Sequence, residues 1–334
     1  MVKTRHGSKT GIRVEPPATL PALSPAPNSK LPAQLRFPLL VLMTWTLFGT
    51  LWSTISPFTA GDLATVSRSR DDWWNIVGLM VWKAALVAVG WYGGYDCSDF
   101  AAFTFLSAVP YYYFLEAFYV IRPTTVWTGL VIDTLVAYIP FYTFKVSSSI
   151  HSIKTPRGVA ANRSVINDFG VQAATSLFAA GIYAVVIFLS YTTWLPIHLV
   201  LHFDGIRDIS LAHNSNFPHL IAGFLPIGFA AKIFLFTPAE AAKPDAYDRE
   251  IAKFNPETAT LKDTLIFNLF GYSNRTRTLM RRTATLAVIG GLHTWLRTYI
   301  TVEGSEILGA AGWSGVWSTA AVVTGLMYVW VGDV

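Results

Sequence analysis

Charge is scarce in this chain and cysteine is nearly missing. Only 13% of its 334 residues are Asp, Glu, Lys or Arg, about half the share carried by soluble domains. With 52% hydrophobic residues and a mean hydropathy of +0.42, the chain falls in the membrane class. The single cysteine, Cys97, excludes an intrachain disulfide. There is no Walker loop, no G-x-G-x-x-G after a strand, no C-x-x-C and no G-x-S-x-G elbow. ATP-driven, redox and serine-hydrolase chemistry therefore lack their usual residues. The three histidine boxes of membrane hydroxylases and desaturases are also missing, as is any internal repeat. The net charge of +5 is carried mostly by loop residues that set topology, so no nucleic-acid surface is read from it.

What the chain has in abundance is long apolar runs and rings: 12 Trp, 14 Tyr and 22 Phe. The runs are of spanning length and predict helices near 37–57, 73–94, 100–121, 124–145, 174–196, 217–236, 283–302 and 309–331. The expected fold is an all-α polytopic transmembrane bundle of about eight spans, within a range of seven to nine. Its parts are a Pro-rich basic tail (1–36), a six-span region (37–236), a loop (237–282) and two C-terminal spans (283–334). Basic residues number 18 in the tail and the segments on its side, against 4 on the opposite side. By the positive-inside rule both termini face the cytosol. The proline density of the tail argues against a transit peptide, and the run from Phe37 is too long for a signal peptide. The endoplasmic reticulum or another endomembrane is the expected location. In the 237–282 loop, Leu261, Leu265, Ile266, Leu269 and Phe270 share a helical face followed by Arg275, Arg277, Arg281 and Arg282. That is the pattern of an in-plane interfacial helix. The sequons at Asn162 and Asn274 fall in loops on the cytosolic side.

Ionisable groups inside spans mark candidate sites. The third span carries Pro110, Tyr111, Tyr112, Tyr113, Phe114, Glu116 and Tyr119, with Tyr112, Tyr113, Glu116 and Tyr119 spaced to share a face. Pro110 is expected to loosen the turn before them and open space. Glu116 reads either as a functional acid or as a carboxyl that bonds a tyrosine near the interface. Asp133 lies midway along the fourth span beside Gly129 and Ala137, and Lys83, His293 or Arg297 could neutralise it. It reads equally as an ion pair or a catalytic acid. The segment 196–219 gathers His198, His202, Asp204, Arg207, Asp208, His213 and His219. We read it as a polar cap in which Arg207 holds Asp204 or Asp208, and not as a metal site. Asp71-Asp72-x-x-Asn75 with Asp204-x-x-x-Asp208 is a partial match to the paired Mg²⁺ motifs of prenyltransferases. Asp96 and Asp99 near the short inner loop read equally as a further acid pair or as solvated turn residues.

The Pro-rich basic tail, the LPAQLRFPLL segment leading into the first span, the aromatic helices and the intramembrane acids without a diphosphate motif give the chain its family likeness. It resembles the fungal integral-membrane terpene cyclases that close meroterpenoid rings. The resemblance implies protonation of an olefin or epoxide and ring closure through a carbocation, with no cofactor and no metal. The expected partners are a lipophilic prenylated substrate and the bilayer. Among this chain's residues, Glu116, Asp133 and Asp204 are the candidate acids. Tyr111, Tyr112, Tyr113, Phe114, Tyr119, Trp127, His293, Trp295 and Arg297 are the candidate lining, because ring faces stabilise a cation. A membrane transporter, a Mg-dependent prenyltransferase and a non-catalytic scaffold remain as alternatives. A cavity separates them: deep and aromatic for a cyclase, through-going for a transporter, absent for a scaffold.

Overall fold

A computed structural model describes residues 32–68, 73–145, 148–151 and 160–332. The tail up to residue 31 and the Asp71-Asp72 pair lie outside the described residues. The described chain is helical, with two isolated β-bridges and no strand. The helices, in order, are α1 (Ala33–Ala64), α2 (Trp73–Tyr92), α3 (Cys97–Tyr119), α4 (Pro123–Phe144), α5 (Arg163–Asn167), α6 (Phe169–Thr192), α7 (Leu195–His202) and α8 (Ser210–Asn214). There follow α9 (Phe217–Gly223), α10 (Leu225–Ala231), α11 (Thr237–Ala241), α12 (Ala246–Ile251), α13 (Leu261–Phe270), α14 (Asn274–Thr285), α15 (Gly291–Thr301) and α16 (Ile307–Gly332). Wide π turns at Lys232–Phe236 and Leu286–Gly290 join α10 to α11 and α14 to α15 without a break in helical backbone.

The expectation of eight spans is corrected. Among the described residues, four helices are long and apolar enough to cross a membrane: Gln34–Ala64, Pro123–Phe144, Phe169–Thr192 and Ile307–Gly332. A fifth is reached if Phe217–Gly223 and Leu225–Ala241, bent by 52°, count as one broken span. The reason lies in what the other runs face. Helix α3 is buried along most of its length, from Phe100 to Tyr119, so protein surrounds it and it can carry Ser, Pro, Tyr and Glu. The rod from α14 to α15 turns Thr, Arg and His inward. In α2 the apolar stretch is only Ile76–Tyr92.

Helix α3 is the centre, packed by α4, α10 and α15. Its rings pack in two groups: Phe114 lies 4.7 Å from Phe203 and 5.1 Å from Trp313, and Phe100 lies 4.2 Å from Phe141. Glycines let the helices approach. A methyl group on Gly228 would collide with the backbone of α6 at Ser176. The connections gather at two ends. At one, residues 66–68, 118–122, 203–208 and 301–305 are tied by main-chain bonds, including Arg68 to Thr301, Glu303 to Val66, Asp204 to Gly304 and Arg207 to Phe118. At the other end meet residues 96–99, 148–151, 162, 240–248, 274–282 and 332.

Val120 ends α3 in the left-handed region, with φ 54° and ψ 40°. A β-branched residue is strained there, because its Cβ crowds the carbonyl. It is held by Ile121 N–H bonding Leu115 O at 3.2 Å and by the Arg207 and Asp208 amides bonding Phe118 O. Val120 is 59% exposed, so its side chain adds little packing. Replacing Val120 by Gly is expected to stabilise the fold by about 1 kcal/mol, read as a raised unfolding midpoint in detergent. A lower midpoint would show that the Val120 side chain matters more than its backbone.

Candidate functional site

The densest polar constellation inside the bundle is centred on Asp133, 6% exposed on α4. Arg297 of α15 donates from Nη1 to Asp133 Oδ2 at 2.6 Å and from Nη2 to the Tyr112 hydroxyl at 2.7 Å. Tyr112 in turn donates to Asp133 Oδ2 at 2.9 Å. Lys83 of α2 stands 3.7 Å from Asp133 Oδ1, with its ammonium 3.2 Å from the centre of the Phe48 ring. The Arg297 guanidinium also lies over Tyr111 and Tyr112, 4.3 and 4.5 Å from their centroids. His293, one helical turn before Arg297, accepts from the Trp82 indole at 3.1 Å. Gly129 makes this packing feasible, since a Cβ there would sit 2.6 Å from the Tyr112 hydroxyl oxygen. The group is a closed circuit in which two cations, one anion and a phenol satisfy one another.

The structure parts the candidate residues read from sequence. Tyr111, Tyr112, Asp133, His293 and Arg297 come together. Tyr113 and Phe114 point the other way, where Tyr113 accepts from the Tyr191 hydroxyl at 3.2 Å and stacks 6.2 Å from Trp313. Glu116 is half-buried and makes no hydrogen bond or ion pair with another described residue. Tyr119 donates to the Asp204 carbonyl at 3.2 Å, while the Asp204 side chain is exposed. Trp127 is 47% exposed. Trp295 turns away to the Ile307 carbonyl at 3.1 Å. Arg207 bonds the carbonyls of Tyr119 and Thr65, both at 3.3 Å, so it does not hold Asp204 or Asp208 as expected. His202 pairs with Glu306 at 2.6 Å and His198 bonds Leu308 O at 3.2 Å.

Pro110 opens almost no space. Its carbonyl accepts from the Trp313 indole at 3.0 Å, and the void beside it, between Leu106, Tyr183, Leu286, Gly290 and Thr294, has a volume of about 10 Å³. That admits about one water, whereas ligand pockets run to roughly 300–1,000 Å³. A larger hollow of about 310 Å³ lies outside the bundle, between α12 and α13.

A second cluster, at the other end of the bundle, has a member that sequence reasoning missed. Arg282, 8% exposed, donates to Asp99 Oδ2 at 2.7 Å and to the Phe234 carbonyl at 3.0 Å. His151 lies 3.1 Å from Asp99 and 3.7 Å from Asp96. Asp96, Asp99 and His151 offer one ligand atom each within 4.8 Å of one another, but Arg282 already supplies the positive charge. Burial and the Asp99 charge push the Asp96 carboxyl up. Burial opposes the Asp99 charge, yet Arg282 and His151 hold that carboxyl below its usual value. For His151 burial favours the neutral ring, and the Asp99 bond with the two carboxylate charges outweighs it, so its pKa is raised. Nearby, Glu240, 3% exposed, is bonded by Arg275 and by Asn162. Both sequon asparagines are thus engaged, since Asn274 donates to Lys243 O at 2.8 Å. Arg282 was hidden in sequence because it sits at the end of a basic run that also reads as a topology signal.

Residues 168–331 match the model of the family described as Bouquet formation protein 3 C-terminal domain. The matched region begins at the cap of α6 and runs to the last turn of α16. No curated protein and no solved structure matches the chain. This finding overturns the likeness to membrane terpene cyclases, and with it ring closure, terpenoid metabolism and the lipophilic prenylated substrate. Of the features behind that likeness, besides the Pro-rich tail and the LPAQLRFPLL segment, aromatic richness and buried acids belong equally to a ring-packed bundle with internal ion pairs.

Two measurements probe these clusters. Removing one partner of a buried pair costs about 3–5 kcal/mol. Asp133→Leu leaves both Arg297 and Lys83 unpaired, whereas Arg297→Met leaves Asp133 with Lys83. Asp133→Leu is therefore expected to lower stability more, and the double variant to be milder than the sum; additive losses would show that the two side chains act independently. The His151 contribution has the sign of a raised pKa: it is full below the ordinary imidazole value and fades as pH rises through the folded one. Wild type is expected to lose more stability than His151→Gln between about pH 6 and pH 8, measured as unfolding midpoints. Parallel profiles would refute a charged His151.

Proposed function

We propose that this chain is a non-catalytic membrane scaffold that serves bouquet formation, the meiotic gathering of chromosome ends at the nuclear envelope, by presenting a rigid helix bundle to protein partners in that membrane. The observation that carries the reading is the match of residues 168–331 to the Bouquet formation protein 3 C-terminal domain. Two features of the bundle support it. The void beside the aromatic helix is too small for a lipophilic substrate. The charges around Asp133 are bonded to one another, as befits polar groups that fix helix packing.

In this reading the chain is multi-pass in the nuclear envelope. The basic side, with the N-terminal tail, the 237–282 connection and the end of α16, faces the cytosol or nucleoplasm, as the excess of Lys and Arg there requires. Partners then meet the soluble connections on that side.

The test is genetic and cytological. A tagged chain is expected at the nuclear rim, and its deletion to leave chromosome ends dispersed in meiotic prophase. Glu116→Gln is expected to rescue the deletion fully, because a scaffold needs no proton donor there. Normal clustering in the deletion strain, or a tag spread through peripheral membranes, would overturn the proposal.

A further inference from the structure

Outside the bundle, α12 and α13 form a small helical hairpin with an unusual surface. Reciprocal caps start both helices, Asp245 with Asp248 and Thr260 with Asp263. Phe254 stacks on Phe267 with centroids 4.0 Å apart and planes 7° apart, and the Tyr247 hydroxyl donates to Phe270 O at 3.2 Å. The base of the hairpin is fixed to α14. Arg277 donates to Asp245 at 2.8 Å, and the Asn274 backbone N–H donates to Asp248 at 2.8 Å.

The face turned away from this core is apolar and uncovered. Leu261, Leu265 and Leu269 follow one another at i, i+4 and i+8, exposed by 88, 59 and 54%. Ile266 and Phe270 flank the face and are 46 and 63% exposed, with Ile266 also lining the hollow between α12 and α13. At about 100° per residue these five side chains span half of the helix circumference. Lys262 rises between Ile266 and Leu269 on the same half, with a stem long enough to carry its charge past them.

The height of this face is set by α16. Arg275, two residues beyond the Gly271-Tyr272-Ser273 link, bonds the Gly332 carbonyl at the end of α16 and the Glu240 carboxylate. The last turns of α16 expose Trp330 by 67% and Val331 by 42%, the ring-and-aliphatic belt of a span leaving a bilayer. The C-terminal end of α13 at Phe270 is thus five residues from the Arg275 that holds the end of α16. On the hairpin and α14, Arg249, Lys253, Lys262 and Arg281 are exposed, as are Glu250 and Glu257, while Asp245, Asp248 and Asp263 are engaged in caps and in the Arg277 pairs.

We propose that α13 lies in the plane of the membrane surface, with Leu261, Leu265, Ile266, Leu269 and Phe270 among the acyl chains and the exposed lysines and arginines against anionic headgroups. The proposal rests on α16 crossing the same bilayer, which the scaffold reading also requires. A helix so placed locks the 237–282 connection to the membrane and leaves the opposite side of the hairpin facing water.

The experiment is depth-dependent quenching on the full chain, reconstituted in vesicles of phosphatidylcholine with phosphatidylserine. Single cysteines at Leu265→Cys, Leu269→Cys, Glu257→Cys and Leu326→Cys carry the fluorophore, and native Cys97, 2% exposed, stays unlabelled. Labels at 265 and 269 are expected to be about fivefold less quenched by aqueous iodide than the label at 257, and quenched by spin-labelled lipid. Iodide access equal to that at 257 would overturn the proposal. Protection from both quenchers would overturn it too, showing that a protein or a second copy covers the face. An iodide-open label at 326 would instead remove α16 from the membrane and defeat the span beneath both readings.

Discussion

Asp133 is the constraint on which the bundle turns. A carboxylate only 6% exposed must be matched where it stands, because leaving a buried charge unpaired is strongly destabilising. Its partners come from three other helices: Arg297 from α15, Lys83 from α2 and Tyr112 from α3. The rotation of each helix is thereby coupled to the others. A ring stack alone would tolerate sliding, since apolar contacts are non-directional. The bidentate reach of Arg297 does not.

The same logic recurs at the other end of the rod that carries Arg297. Arg282 pairs with Asp99, 15 residues before Arg297 along a continuous helix, or about 22 Å at 1.5 Å per residue. Both acids lie in the part of the chain before residue 168, and both arginines lie in the part that matches the bouquet-protein domain. The rod from α14 to α15 is therefore keyed into the N-terminal half at two heights. The two pairs thus join the part of the chain before residue 168 to the matched region at both ends of the rod.

Much of this was legible in the sequence. Hydropathy placed α2, α3, α4 and α16 within three residues, because periodic apolar runs report burial whether the neighbour is lipid or protein. That ambiguity is also why the span count came out too high: α3 looks like a membrane helix and is wrapped by protein. Asp133 with Lys83, His293 and Arg297 was a readable set, since charges inside apolar runs must find one another. Glu116 was not separable from Asp133, because helix rotation is fixed by packing that spacing does not encode. Arg282 and His151 were invisible as site residues, since loop cations look alike until the fold buries one of them. The function was the least legible. Aromatic rings and buried acids describe a cation-stabilising pocket and a tightly packed core in the same letters, and only the volume between them tells the two apart.

The pairing of Asp133 also imposes an order on synthesis. The acid precedes Arg297 by 164 residues, which at roughly 5–20 residues per second is on the order of ten seconds or more on the ribosome. During that interval the only cation of the finished cluster already made is Lys83, fifty residues upstream. In the mature protein Lys83 is the looser partner, 3.7 Å away and resting on Phe48. Until α15 is made, Lys83 is thus the one member of the cluster able to offset the charge of the carboxylate.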